Sequence, residues 1–253
     1  MKLVEALNIA ADEVVALVGG GGKTTAMFRL ARETVERGGH AITTTTTKIF
    51  AAQIALAPAH VDAAAATRDA IAAPLATHRH VLVIGASDPD TGKADGVSVE
   101  LFRRLREWFP GACILNEADG SRMRPFKAPA EHEPVIPEET TLVVPVVGAD
   151  VFGKPLDAEH VHRPQLVSAL SGAPLGATIT PEIVATVLAH PEGGCKGVPR
   201  GARVVALINK VETLADSKPA HETAERLLRD PKIQAVVLAT VRGADPALEV
   251  CTR

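Results

Sequence analysis

Residues 14–25 carry the chemistry with the clearest spacing in the chain. Val14-Val15-Ala16-Leu17-Val18 runs into Gly19-Gly20-Gly21-Gly22-Lys23-Thr24-Thr25, and Met27, Phe28, Leu30 and Ala31 then follow at helical spacing. An apolar, β-branched run that breaks into glycines and resumes as a helix reads as strand, loop and helix N-terminus. Such a loop suits phosphate. Glycines let backbone N–H groups converge on an anion, and the helix adds its unpaired N–H groups and the positive end of its dipole. In that arrangement Lys23 neutralises the β- and γ-phosphates and the Thr24 hydroxyl ligates Mg²⁺, with Gly19 to Thr25 as the nucleotide cradle for ATP or GTP.

The full Walker spacing G-x-x-x-x-G-K-[ST] needs a glycine where this chain has Leu17. The shorter G-x-x-G-K-T-T form of Mur-type amide ligases matches Gly19 to Thr25. So does the G-G-x-G-K-T-T part of the loop in nitrogenase-iron-protein-like and metallochaperone NTPases, although their additional lysine falls at Val18. The subclass of P-loop stays open on these residues.

The partners of a phosphate loop are expected at the ends of neighbouring strands. Ala112-Cys113-Ile114-Leu115-Asn116-Glu117-Ala118-Asp119 is an apolar strand ending in acids, roughly 95 residues after the loop. A carboxylate there reaches the metal held by Thr24. Glu117 and Asp119 lie two residues apart on one side of the strand, so either could hold the metal while the other orients a nucleophile. We expect Asp119 at the metal and Glu117 at the attacking group. Arg122, Arg124 and Lys127 follow within six residues as clamps for an anionic substrate or for developing charge. His162 and Arg163 are further candidates for such contacts, whereas His160-Val161-His162 has only Glu159 beside it and makes a weak metal site. Five consecutive threonines, Thr43 to Thr47, precede Lys48 and end a second strand. If that strand lies beside the first, Thr47 and Lys48 open toward the phosphates; the alternative is a polar edge strand in solvent. Asn209-Lys210-Val211-Glu212 resembles the N-K-x-D base-recognition motif of GTPases, with a glutamate one methylene longer.

Positioning these groups takes an α/β frame. Seven apolar strands alternate with helices, which gives one three-layer P-loop NTPase-like domain over residues 1–253 with a mainly parallel sheet of about seven strands. Helices are expected over 1–12, 23–37, 61–76, 99–109, 181–190 and 219–229, and a turn-rich hairpin or loop over 86–98. Trp108 reads as core. The net charge of −3 and absence of a basic block exclude a phosphate-backbone nucleic-acid binder, and aromatic content of 3% leaves little for base stacking. Hydrophobic content is 46% without an apolar run long enough for a bilayer. The expected location is the cytoplasm. Cys113, Cys195 and Cys251 are too scattered for a zinc or disulfide framework, and Cys195, among glycines, could present an exposed thiol.

Taken together, V-G-G-G-G-K-T-T, T-T-T-T-T-K, N-E-A-D-G-S-R with K-A-P and E-P-V-I-P, V-H-R-P and I-N-K-V-E resemble, in this order, the YqeC family of selenium-dependent molybdenum hydroxylase accessory proteins. The resemblance spans residues 14–212. It implies a P-loop protein in the maturation of the molybdenum and selenium cofactor of hydroxylases, with a molybdopterin-type cofactor or the hydroxylase itself as partner. It supplies a pathway and not a reaction. NTP hydrolysis or phosphoryl or nucleotidyl transfer, a nucleotide-gated delivery module, and a binder of a pterin nucleotide phosphate are all compatible with it.

Overall fold

The computed structural model describes residues 1–253. Its main sheet has nine strands: β1 (Val14–Gly19), β2 (Ala41–Thr45), β4 (His60–Asp62), β5 (His80–Ile84), β8 (Cys113–Glu117), β10 (Leu142–Gly148), β12 (Arg203–Asn209), β13 (Ile233–Ala239) and β14 (Ala247–Cys251). Their order is β14-β13-β12-β10-β1-β8-β2-β5-β4, and every pairing is parallel except β13 with β14. The phosphate-loop strand β1 therefore sits centrally, between β8 and β10. Successive β1 residues alternate between the two faces, with Val15 and Leu17 in one core cluster and Val14, Ala16 and Val18 in others. Burial on both faces is why the strand reads as one continuous apolar run.

Seven helices complete the three layers: α1 (Leu3–Ala6), α2 (Lys23–Glu36), α3 (Arg68–His78), α4 (Val99–Trp108), α5 (Pro164–Ser171), α6 (Pro181–Ala189) and α7 (Lys218–Leu227). The first two pack against one face through Leu3, Leu7, Met27 and Leu30. The opposite face is covered by α3 and α4 at one end and by α5, α6 and α7 at the other. Two small sheets lie outside this frame. One joins β9 (Phe126–Lys127) to β11 (Val161–His162), and the other joins β3 (Ile49–Phe50), β6 (Ser87–Asp88) and β7 (Lys93–Ala94).

The α/β class and parallel sheet agree with the sequence reading; the strand count does not. The two further strands are β4, hidden in the alanine-rich stretch that reads as a helix from 61, and β14, which closes the sheet edge antiparallel. Helix α3 starts later than expected because Thr67 caps it, accepting from Ala70 N at 3.2 Å. The N-terminal helix is a single turn, although Leu3 and Leu7 are both buried.

The threonine run forms no solvent edge. β2 lies inside the sheet between β8 and β5, with Thr43, Thr44 and Thr45 fully buried. Each hydroxyl has a protein partner: Thr43 Oγ1 with His80 Nε2 (2.9 Å), Thr44 with Val83 O (2.8 Å) and Thr45 with Glu117 O (2.8 Å). Polar side chains can fill a core strand when every donor is matched. The consequence is a rigid link between β2 and the end of β8, where the acids stand.

Candidate nucleotide and anion site

The loop between β1 and α2 is shaped by close approach. A Cβ on Gly21, whose φ is 81°, would lie 2.0 Å from Gly148 N; one on Gly22, at φ 119°, would lie 2.6 Å from Asn209 Nδ2. No side chain fits at either position, and both backbones occupy the left-handed region that glycine tolerates. Gly20 N donates to Val146 O and Gly21 N to Arg124 O, at 2.9 and 3.1 Å. The next four N–H groups, Gly22 to Thr25, donate to no acceptor in the protein. Unpaired donors at a helix N-terminus are the groups that bind a phosphate.

Behind the loop the two carboxylates make different contacts. Thr24 Oγ1 donates to Glu117 Oε2 at 2.6 Å, so Glu117, expected at the attacking group, lies beside the Thr24 hydroxyl. Regular strand β8 ends at Glu117, and the chain then turns beneath the loop. Asp119 accepts there from Gly19 N at 3.0 and 3.1 Å and pairs with Lys23 at 3.2 Å and Lys127 at 3.0 Å. It is 1% exposed and anchors the loop from below.

Lys23 Nζ also donates to Gly19 O at 2.6 Å and lies 3.6 Å from Glu117. Burial opposes its charge, but Asp119 and Glu117 outweigh that and hold its pKa above the ordinary lysine value. Glu117 moves the other way: burial raises its pKa against the pull of Lys23 and Thr24. The hydroxyl and carboxylate oxygens of Thr24 and Glu117 are hard donors of the kind Mg²⁺ takes. This donor set fits the ion the loop motif implies.

From Lys23 a line of alternating charges crosses the site. Asp119 meets Lys127, Lys127 meets Glu133 at 2.6 Å, and Glu133 meets Arg163 through two contacts of 2.5 and 3.1 Å. Lys127 is buried and also donates to Gly120 O at 2.7 Å. Expected as a substrate contact, it is committed to the protein because β9 carries it inward beneath the loop. Burial pushes the Glu133 carboxyl up, but hydrogen bonds from Arg163 and Lys127 override this and hold it at about 2. Glu133 had no role in the sequence reading. Its partners are 6 and 30 residues away, so no local spacing marks it.

Beside the loop opens a cavity of about 520 Å³. Gly21 to Thr25, Glu117, Thr47, Lys48, Arg122, His162, Arg163 and Lys210 all border it, so most of the expected site residues do converge. Lys48 is already paired with Asp95 at 2.9 Å and Lys210 with Asp150 at 2.6 Å. The His-x-His pair splits: His160 turns to Asp157 at 2.9 Å while His162 faces the cavity. Arg124 contributes its backbone carbonyl to Gly21.

The Asn209 motif holds loops together. Asn209 Nδ2 donates to Gly21 O at 2.8 Å, and its Oδ1 accepts from Val241 N at 3.0 Å. Glu212 accepts from Thr240 at 2.7 Å and does not border this cavity. Arg242 and Lys93 do border it; Lys93 was not among the expected residues, since it stands alone in a turn-rich stretch. A second cavity of about 640 Å³ runs along α2 beside Phe28 and Arg29 and shares Thr25 and Arg242 with the first. Cys195, expected as a possible exposed thiol, is buried, its Sγ donating to Leu188 O at 3.5 Å; burial first pushes its pKa up to about 11.

Among solved structures, hydrogenase maturation factor HypB from Archaeoglobus fulgidus aligns over 96% of this chain and 88% of its own, with TM-score 0.43 and 12% identity. Signal recognition particle 54 kDa protein from Aeropyrum pernix K1, in complex with GDP, aligns over 94% and 37%, with TM-score 0.36 and 14% identity. The uncharacterized protein YqeC of Escherichia coli (strain K12) is 30% identical over 235 residues, covering 90% of this chain and 88% of the relative. The family model described as YqeC protein matches residues 15–165, a span that begins in β1 and ends just past Arg163. By both matches, the chain belongs to the YqeC family.

Proposed function

We propose that this chain binds a Mg²⁺–nucleoside triphosphate, ATP or GTP, on the β1–α2 loop. It uses that nucleotide for hydrolysis or for phosphoryl or nucleotidyl transfer during maturation of the molybdenum and selenium cofactor of hydroxylases. One observation carries the reading: four unpaired N–H groups, Gly22 to Thr25, stand beside Lys23 and a Thr24 hydroxyl bonded to Glu117. The backbone donors would take the phosphate oxygens, and Lys23 would exchange Gly19 O and its carboxylates for the β- and γ-phosphates. Thr24 and Glu117 would hold Mg²⁺, which supplies charge neutralisation to the phosphates. Asp119 keeps the loop in place throughout, and Asn209 fixes the loop to the β13–β14 turn.

The line from Lys23 to Arg163 favours a second use of the same site, a nucleotide-gated delivery module. Drawing Lys23 toward phosphate loosens its hold on Asp119, and the change reaches Arg163 through Lys127 and Glu133. Both uses begin with nucleotide binding. Calorimetric titration with Mg²⁺ and ATP, GTP and CTP in turn tests it, with Lys23→Ala and the charge-retaining Lys23→Arg alongside. Tight 1:1 binding of one nucleotide, lost in Lys23→Ala, is expected. Binding that survives unchanged in both variants removes the assignment.

A further inference from the structure

Seven lysine and arginine residues border the cavity beside the loop. Lys23, Lys48, Lys210 and Arg163 each already face a carboxylate of the protein. Arg122 and Lys93 border the same space, and neither side chain makes an ion pair or hydrogen bond. His162, half-buried, borders the same cavity, and its ring also has no hydrogen-bond partner in the protein. Burial first, and then the charges of Arg163, Lys127 and Arg122, push the His162 pKa down to about 4. At neutral pH the ring is therefore uncharged and offers one donor and one acceptor in a positive surrounding.

The backbone gives an independent sign. Six non-glycine residues in the chain have positive φ, and four of them, Arg122, Met123, Arg163 and Lys210, border this cavity. Such backbone strain gathers where side-chain direction matters. At Arg122 (φ 48°) and Arg163 (φ 63°) the left-handed turn sets guanidinium groups at one space. Glu133 accepts from two nitrogens of Arg163, which fixes the guanidinium and leaves its remaining N–H groups uncommitted.

We propose that Arg122, His162 and the uncommitted N–H groups of Arg163 form an anion subsite that holds the phosphate group of a second small-molecule substrate while a nucleotide occupies the loop. Two guanidinium forks suit the several oxygens of a phosphate better than a single point charge would. This deepens the nucleotide reading and rests on it in one respect: the loop must take the other phosphates, so that the two anions are separate ligands. Arg163 lies four ion-pair links from Lys23, by way of Asp119, Lys127 and Glu133.

The test is a titration of inorganic phosphate into protein saturated with Mg²⁺ and a non-hydrolysable triphosphate, with acetate as the contrasting anion. One phosphate per chain should bind. Arg122→Ala and His162→Ala should each weaken it roughly tenfold, the scale of one hydrogen bond to a charged group. Lys154→Ala, which removes an exposed charge away from the cavity, should not. In ring-detected NMR spectra, phosphate should move the His162 titration upward from its position near 4, because an anion favours the imidazolium. Absence of phosphate binding, equal affinity in all variants, or equal binding of acetate overturns the proposal. If no triphosphate binds, the nucleotide reading fails by itself, and phosphate titration of the unloaded protein still decides the subsite. Affinity lost in Arg122→Ala and kept in Lys23→Arg supports it; the reverse puts the phosphate on the loop and rejects it.

Discussion

The charged groups beneath the phosphate loop and those around Arg122 share one cavity but are built on opposite terms. From Lys23 through Asp119, Lys127 and Glu133 to Arg163, every charge has a partner within 3.2 Å, and three of the five residues are under 4% exposed. Arg122 and Lys93 have no partner, and His162 makes no hydrogen bond. The buried line holds geometry, since taking charge out of water is tolerable only when each member is matched. The unmatched groups remain in contact with solvent and stay available to a ligand. What separates frame from binding surface here is pairing: lysine and arginine occur in both, but only the buried line sets carboxylates, Asp119 and Glu133, between them.

The difference can be broken most forcefully by removing Lys127. Lys127→Met leaves Asp119 without one partner and Glu133 without another, and should cost about 3–5 kcal/mol in urea denaturation. Arg122→Ala should stay within about 0.5 kcal/mol of the parent while losing phosphate affinity. Comparable losses in the two variants would erase the distinction between frame and surface. Gly21→Ala comes next, at about 1–3 kcal/mol, because its Cβ meets Gly148 N and its φ is positive. Nucleotide affinity should fall with it, since the loop must shift.

Acid acts on two groups with the same sign but in successive windows. The Glu133 pKa is lowered from 4.5 to about 2 on folding, so its contribution is complete above 4.5 and lost as pH falls toward 2. Glu133→Gln should remove that window from the stability profile. His80, buried and bonded to Thr43, is lowered from 6.5 to about 4 by desolvation. The unfolded chain binds this proton first, so stability declines earlier, as pH falls from 6.5 toward 4, and His80→Gln should flatten that part. The smallest effect belongs to the threonine strand, where Thr44→Val should cost about 1 kcal/mol by leaving Val83 O unpaired.

Local spacing made the phosphate loop legible: strand, glycines, Lys23 and Thr24 are consecutive, although the close approaches the glycines permit come from Val146, the 124–126 segment, Gly148 and Asn209. The acids at the end of β8 were legible as a pair. Their separate contacts were not, because Asp119 lies past the regular strand, where alternation no longer sets side-chain direction. Asn209, read as part of a base-recognition motif, ties the phosphate loop to Val241, while Lys210 and Glu212 find Asp150 and Thr240, which no motif connects to them. Glu133 and the burial of Lys127 depend on contacts across β9 and β11, brought together only by folding. Strands β4 and β14 escaped because one has three residues in an alanine-rich stretch and the other alternates weakly at a sheet edge.

The most direct test of the central claim is the Mg²⁺ dependence of nucleotide affinity in the parent chain, Glu117→Gln and Asp119→Asn. The geometry predicts that Mg²⁺ strengthens binding in the parent and in Asp119→Asn, and that this gain disappears in Glu117→Gln, whose side chain still accepts from Thr24 but has lost the charge. A gain that survives in Glu117→Gln and vanishes in Asp119→Asn would contradict it and return the metal to Asp119.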